Sequence, residues 1–69
     1  MKLSTRNQIP GTVESVQEGE AMAVVKVTID GGHTVTASIT RDAVQDLQLA
    51  PGTPVTVLVK STEVMLAVD

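Results

Sequence analysis

Near the start of the sequence, Ser4-Thr5-Arg6-Asn7 sets two hydroxyls, a guanidinium and a carboxamide side by side. All of them can donate hydrogen bonds and none carries negative charge. A second cluster of the same character, Lys60-Ser61-Thr62, comes near the other end. A tetrahedral oxyanion presents only acceptor oxygens, so a site for one needs several donors and one or two cations for charge-assisted bonds. Arg6 offers a planar fork and Lys60 a point charge. Ser4, Ser61 and Thr62 offer hydroxyls whose protons can turn toward an anion, and backbone N–H groups outside the strands can add to them. On residue types alone a second reading stands beside this one, in which a polar lead-in and a polar turn are each merely solvated. The choice depends on whether the fold brings the two clusters together.

Little else in the chain has the makings of a reaction centre. The one histidine, His33, follows Gly31-Gly32 directly and reads as a solvated turn residue. The acids Glu14, Glu18, Glu20, Asp30, Asp42, Asp46, Glu63 and Asp69 are scattered over turns and polar faces, without the spacing of a carboxylate pair or a metal cage. There is no cysteine, hence no disulfide and no thiolate site. Gly31-Gly32 opens no helix and precedes no GK[ST], so it is a hairpin rather than a phosphate loop. Met1, Met22 and Met65 read as start or packing residues rather than soft-metal ligands. The expectation is a binding protein, not an enzyme, with no protein-held metal.

Charge and composition narrow the partners. A net charge of −3 leaves no basic face for nucleic acid. The absence of Phe, Tyr and Trp removes stacking platforms for bases, and equally for a pterin, so no organic cofactor is expected. No apolar run approaches the roughly 20 residues of a membrane helix, and the start lacks a signal-peptide pattern. The expected location is the cytoplasm. With an acidic chain, anion binding needs a local, shielded pocket.

The elements that must position the clusters follow from periodicity. The chain of 69 residues is expected to form one domain over 1–69. Residues 1–10 lead in, and Pro10-Gly11 punctuates the entry. A first strand runs from Thr12, where the Val13/Val16 spacing calls for a bulge or bend. Glu18-Gly19-Glu20 turns the chain. Residues 23–29 alternate, with Ala23, Val25, Val27 and Ile29 on one face. Asp30-Gly31-Gly32 is a hairpin signal, and 34–39 follow with Val35, Ala37 and Ile39 inward. Thr40 reads as a helix N-cap, with Asp42 in the first turn and Ala43, Val44 and Leu47 at helical spacing before Pro51-Gly52. Residues 54–60 make a fourth strand and 63–68 a fifth, with Val64, Leu66 and Val68 on one face. The predicted class is all-β with a small α segment: a five-stranded antiparallel OB-like barrel with one short helix between strands 3 and 4. Its hydrophobic share of 42% contains no aromatic residue, so the core is thin and association with further copies gains much. Leu58 on the outer face of the fourth strand points the same way.

Read in order, the chain resembles the molbindins, small molybdenum-pterin-binding proteins that also occur as TOBE/Mop-type domains of molybdate transporters and regulators. Ser4-Thr5-Arg6-Asn7 resembles the family's S-A-R-N, with Thr5 in place of Ala. Thr36-Ala37-Ser38-Ile39-Thr40, after Gly31-Gly32, matches T-A-S-I-T. Lys60-Ser61-Thr62-Glu63-Val64-Met65 resembles K-A-S-x-V-M. The likeness covers essentially the whole chain. It implies an OB-like fold assembled as a homohexamer, a trimer of dimers, that binds molybdate or tungstate at subunit interfaces for intracellular molybdenum storage and homeostasis. Molybdenum would enter only as the oxyanion. By motif, Ser4 and Arg6 come from one cluster and Lys60 and Ser61 from the other, meeting across a subunit boundary. Thr5, Asn7 and Thr62 fall within the same motifs, Thr5 through its backbone N–H. Around Glu20-Ala21-Met22-Ala23-Val24, where the family often reads A-V-N-A-E, this chain departs. The alternative implied by the same resemblance is an oligomerisation or sensing module with weak or no oxyanion binding.

Overall fold

The computed structural model describes all 69 residues. In chain order it contains β1 (Asn7–Glu18), β2 (Met22–Ile29), β3 (Thr34–Thr40), α1 (Arg41–Asp46), β4 (Pro54–Val59) and one turn of 3₁₀ helix (Ser61–Glu63). The strands form one antiparallel sheet in the order β3-β2-β1-β4. The all-β, OB-like class with a short helix between the third and fourth strands therefore holds. No helix is long and apolar enough to cross a membrane.

β1 carries two ladders. Its first half pairs with β4, from Asn7 opposite Val59 to Thr12 opposite Pro54. Its second half pairs with β2, from Gly11 opposite Ile29 to Glu18 opposite Ala23. Gly11 is where the strand crosses from one partner to the other. A Cβ there would lie 2.6 Å from Val27 Cγ1 and 2.9 Å from the Thr28 carbonyl oxygen, so only glycine fits. The expectation that β1 starts at Thr12 is thus corrected: Pro10-Gly11 is inside the strand. Pro10 sits before the β2 ladder begins, where the strand has a partner on one side only and a missing N–H costs least. The expected bulge lies between Val13 and Ser15. There the Val13 N–H donates to the Thr53 carbonyl (2.9 Å), and its own carbonyl accepts from the Gly52 N–H (2.8 Å). The bulge is tied to the loop before β4.

The β2–β3 hairpin follows its alternation. Val25 faces Ala37 and Val27 faces Val35. Gly31 and Gly32 turn at φ of 88° and 84°, which side-chain-bearing residues disfavour. Thr40 caps α1, its Oγ1 accepting the Ala43 N–H at 3.0 Å. The helix closes in a Schellman motif: the Gln48 N–H reaches the Gln45 carbonyl (3.1 Å) and the Leu49 N–H the Val44 carbonyl (3.0 Å), with Gln48 at φ 54°. This reversal explains a departure from helical spacing. Leu47 is left exposed, and Leu49 packs on the core in its place.

The core is as thin as the composition implies. Val13, Ala23, Val25, Val27 and Val44 are buried, and Val16, Ile29, Ile39, Leu49, Val55 and Val57 pack around them half-buried. The predicted fifth strand over 63–68 does not form in the chain. Glu63 ends the 3₁₀ turn and residues 64–69 belong to no strand, with Met65, Leu66 and Val68 between 91% and 97% exposed. Alternation marks a segment able to pair, but pairing needs a free edge within reach. The sheet is therefore open and four-stranded instead of a closed five-stranded barrel.

Candidate functional site

Register brings the two donor clusters together. Asn7 and Val59 are opposite in the β1–β4 ladder, so Arg6 precedes its first pair and Lys60 follows it on the partner strand. The Asn7 carboxamide secures this end, its Nδ2 donating to the Val59 carbonyl at 3.0 Å. The Gln8 Nε2 donates to the Thr5 carbonyl at 2.7 Å and holds the preceding loop against the strand. On the other side, the Glu63 N–H donates to the Lys60 carbonyl (2.9 Å), closing the turn that carries Ser61 and Thr62.

Between these segments lies a cavity of about 240 Å³ lined by Ser4, Thr5, Arg6, Lys60, Ser61 and Thr62. It is several times the ~30 Å³ that one water occupies in the liquid. No apolar residue and no carboxylate lines it. The side-chain hydrogen bonds of the protein run from Asn7, Gln8 and Thr28 and to Glu14, Thr40 and Thr53, so the side-chain donors of the lining residues have no protein acceptor. Thr5 is half-buried, whereas the other lining residues are exposed and the cavity opens at the surface. Two cations and four hydroxyls thus face one polar space without a built-in counter-ion. Such a space can hold a small multivalent anion by charge-assisted hydrogen bonds.

Six of the seven residues named from sequence line this cavity, and Asn7 does not. Asn7 lies beside the cavity with its amide spent on the main chain of the opposite strand. Gln8, which residue types alone did not single out, supports Thr5 from behind. Within one chain the β1–β4 register already sets both clusters on the same cavity. His33 sits in the β2–β3 turn and is exposed. No group of three or more His, Cys, Asp or Glu residues is placed to hold a metal ion.

Comparison with known proteins gives a consistent picture. The TOBE domain model matches residues 3–66. The molybdenum-pterin-binding protein 3 of Clostridium pasteurianum is 42% identical over 96% of this chain and 97% of its own length. The molybdenum transport protein ModE of Herbaspirillum seropedicae is 46% identical over 97% of this chain, which spans only 25% of that longer protein. Among solved structures, a molybdate-binding protein from Sporomusa ovata superposes with a TM-score of 0.92 at 42% identity, over 97% of this chain and 98% of its own. The cytoplasmic molybdate-binding protein ModG, in a form with molybdate bound, gives a TM-score of 0.85 at 34% identity, over 88% of this chain and 43% of its own.

Proposed function

The chain belongs to the molbindin family of TOBE-type molybdenum-pterin-binding proteins, and from that membership we propose that it binds molybdate, or tungstate, in the cavity between β1 and β4. The observation that carries the reading is the lining itself: Ser4, Thr5, Arg6, Lys60, Ser61 and Thr62, two cations and four hydroxyls from segments more than fifty residues apart, with no carboxylate among them. Arg6 grips two oxygens of the anion through its fork, and Lys60 neutralises from the opposite strand. The hydroxyls of Ser4, Ser61 and Thr62 turn their protons to the remaining oxygens, and Thr5 adds its backbone N–H. Asn7 and Gln8 hold the two walls at fixed separation. Binding involves no bond-making step and no organic cofactor.

Residues 1–69 act as one binding domain. Copies assemble into a homohexamer, a trimer of dimers, that holds molybdenum as its oxyanion in the cytoplasm for storage and homeostasis, with neither nucleic acid nor membrane as a partner. The naming of ModG as a cytoplasmic molybdate-binding protein supports the location. Calorimetric titration with sodium molybdate is the test. Arg6→Ala and Lys60→Ala are each expected to weaken binding by roughly 10- to 100-fold, the worth of one charge-assisted hydrogen bond of about 1.5–3 kcal/mol. Wild-type affinity in both variants would place the site elsewhere.

The match to a quarter of ModE favours a second reading, in which the same domain serves as an oligomerisation or sensing module with weak oxyanion binding. Native mass spectrometry with and without molybdate separates the two. An oligomer that gains no ion mass at saturating molybdate supports the module.

A further inference from the structure

The tip of the β2–β3 hairpin is the exposed segment Asp30-Gly31-Gly32-His33. Two main-chain bonds close it, from the Gly32 N–H to the Ile29 carbonyl (3.1 Å) and from the Ile29 N–H to the His33 carbonyl (2.8 Å). Neither uses the Gly31 N–H, which donates to no group of the protein. The Asp30 carboxylate accepts no hydrogen bond either. Asp30 is the only aspartate followed by glycine. The amides that follow Asp42 and Asp46 are spent, the Ala43 N–H on Thr40 Oγ1 (3.0 Å) and the Leu47 N–H on the Ala43 carbonyl (2.9 Å). Gly31 has no side chain to hinder approach to the preceding carboxyl, and glycine moves between backbone regions at little steric cost. The His33 ring stands beside this residue, since a Cβ on Gly31 would lie 3.7 Å from His33 Cδ2.

We propose that Asp30-Gly31 is a self-modification site, where the chain cyclises to a succinimide and reopens as isoaspartate, with His33 as the base. The Gly31 nitrogen attacks Cγ of the protonated Asp30 carboxyl, and an N–Cγ bond forms. The His33 imidazole takes the amide proton and passes it to the departing hydroxyl, which leaves as water. A water molecule then opens the ring. Addition at Cγ restores aspartate. Addition at the Asp30 main-chain carbonyl breaks its bond to the Gly31 nitrogen, frees an α-carboxylate and routes the chain through Cγ. Water is the only co-reactant, and nothing is oxidised or reduced. The isomerised link lengthens the chain by one methylene between Ile29 and Gly31, inside the turn that fixes the register of β2 on β3. β2 supplies Ala23, Val25 and Val27 of the five buried residues, so the change acts on a thin core. Neither Asp30 nor His33 lines the cavity, and the proposal is independent of anion binding.

The test is prolonged ageing of the folded full chain at neutral pH, read by aspartate-specific proteolysis with mass spectrometry. Methyl transfer from S-adenosylmethionine by a purified isoaspartyl carboxyl methyltransferase is the second probe. The expected result is progressive loss of cleavage at Asp30, a transient peptide lighter by one water, and methyl incorporation that rises in step. Asp30→Glu keeps the charge but moves the carboxyl one methylene further out, and is expected to lose the methyl incorporation. His33→Gln is expected to age several-fold more slowly, whereas a merely structural role for His33 would loosen the turn and speed ageing. Full cleavage at Asp30 after ageing, or methyl incorporation confined to Asp42 or Asp46, would overturn the site. Ageing of His33→Gln at the wild-type rate or faster would overturn the role of His33.

Discussion

Arg6 and Lys60 flank the last pair of one ladder, and Asn7 is the residue that fixes their separation. Removing its amide deletes the side-chain hydrogen bond to the Val59 carbonyl, so Asn7→Ala is expected to cost about 0.5–1.5 kcal/mol of stability. If Asn7 positions the walls, the variant also weakens molybdate binding by less than Arg6→Ala does. Thermal denaturation and calorimetry on the same sample give both quantities. Arg6→Lys keeps the charge but loses the planar fork, and its molybdate affinity is expected to fall between wild type and Arg6→Ala. Gly11 is the other residue whose identity is dictated. Gly11→Val would drive its side chain into Val27 and the Thr28 carbonyl, at an expected 1–3 kcal/mol or more in denaturant unfolding. The two donor clusters were legible in sequence as residue types. That the Asn7 amide reaches the Val59 carbonyl was not, because its acceptor lies 52 residues away in the chain.

At the scale of elements, local chemistry explains most boundaries. Thr40, the Schellman closure at Gln48 and the paired glycines at 31 and 32 are each dictated by neighbours within a few residues. Thr40→Ala is expected to destabilise by about 1 kcal/mol through loss of the cap. Gln48→Gly is expected to stabilise by roughly 0.5–1 kcal/mol, since the left-handed conformation costs a side-chain-bearing residue about 1–2 kcal/mol and glycine returns part of that as chain entropy. Shifts of opposite sign in the unfolding midpoint check the pair. The misread elements are those whose state depends on distant partners. Pro10-Gly11 looks like punctuation locally, yet β1 runs through it because β4 lies on one side and the ladder to β2 begins only at Gly11.

For the whole molecule, the thin core leaves little stability to spare. Five buried residues, none aromatic, must hold four strands and a helix. A bound ligand therefore counts heavily. Molybdate at about 100 times its dissociation constant is expected to add about 2.7 kcal/mol, which for a domain of this size raises Tm by roughly 10–20 °C. Differential scanning calorimetry of wild type and Lys60→Ala reads this directly, and the variant should show a much smaller rise at the same molybdate concentration. A net charge of −3 means the anion is drawn in only at close range, where Arg6 and Lys60 outweigh it.

By itself the sequence determined the alternation of β2, β3 and β4, the hairpin glycines, the cap at Thr40, the poverty of the core and the chemistry of the two donor clusters. These depend on steric preferences and hydrogen bonds that act over a few residues. Tertiary structure alone decided that Asn7 stands opposite Val59, that Ser4, Thr5 and Arg6 therefore share one cavity with Lys60, Ser61 and Thr62 in a single chain, and that residues 64–69 find no edge of their own. Register and edge pairing come from contacts some fifty residues apart in the chain, and no local pattern encodes which of several free edges a strand will reach.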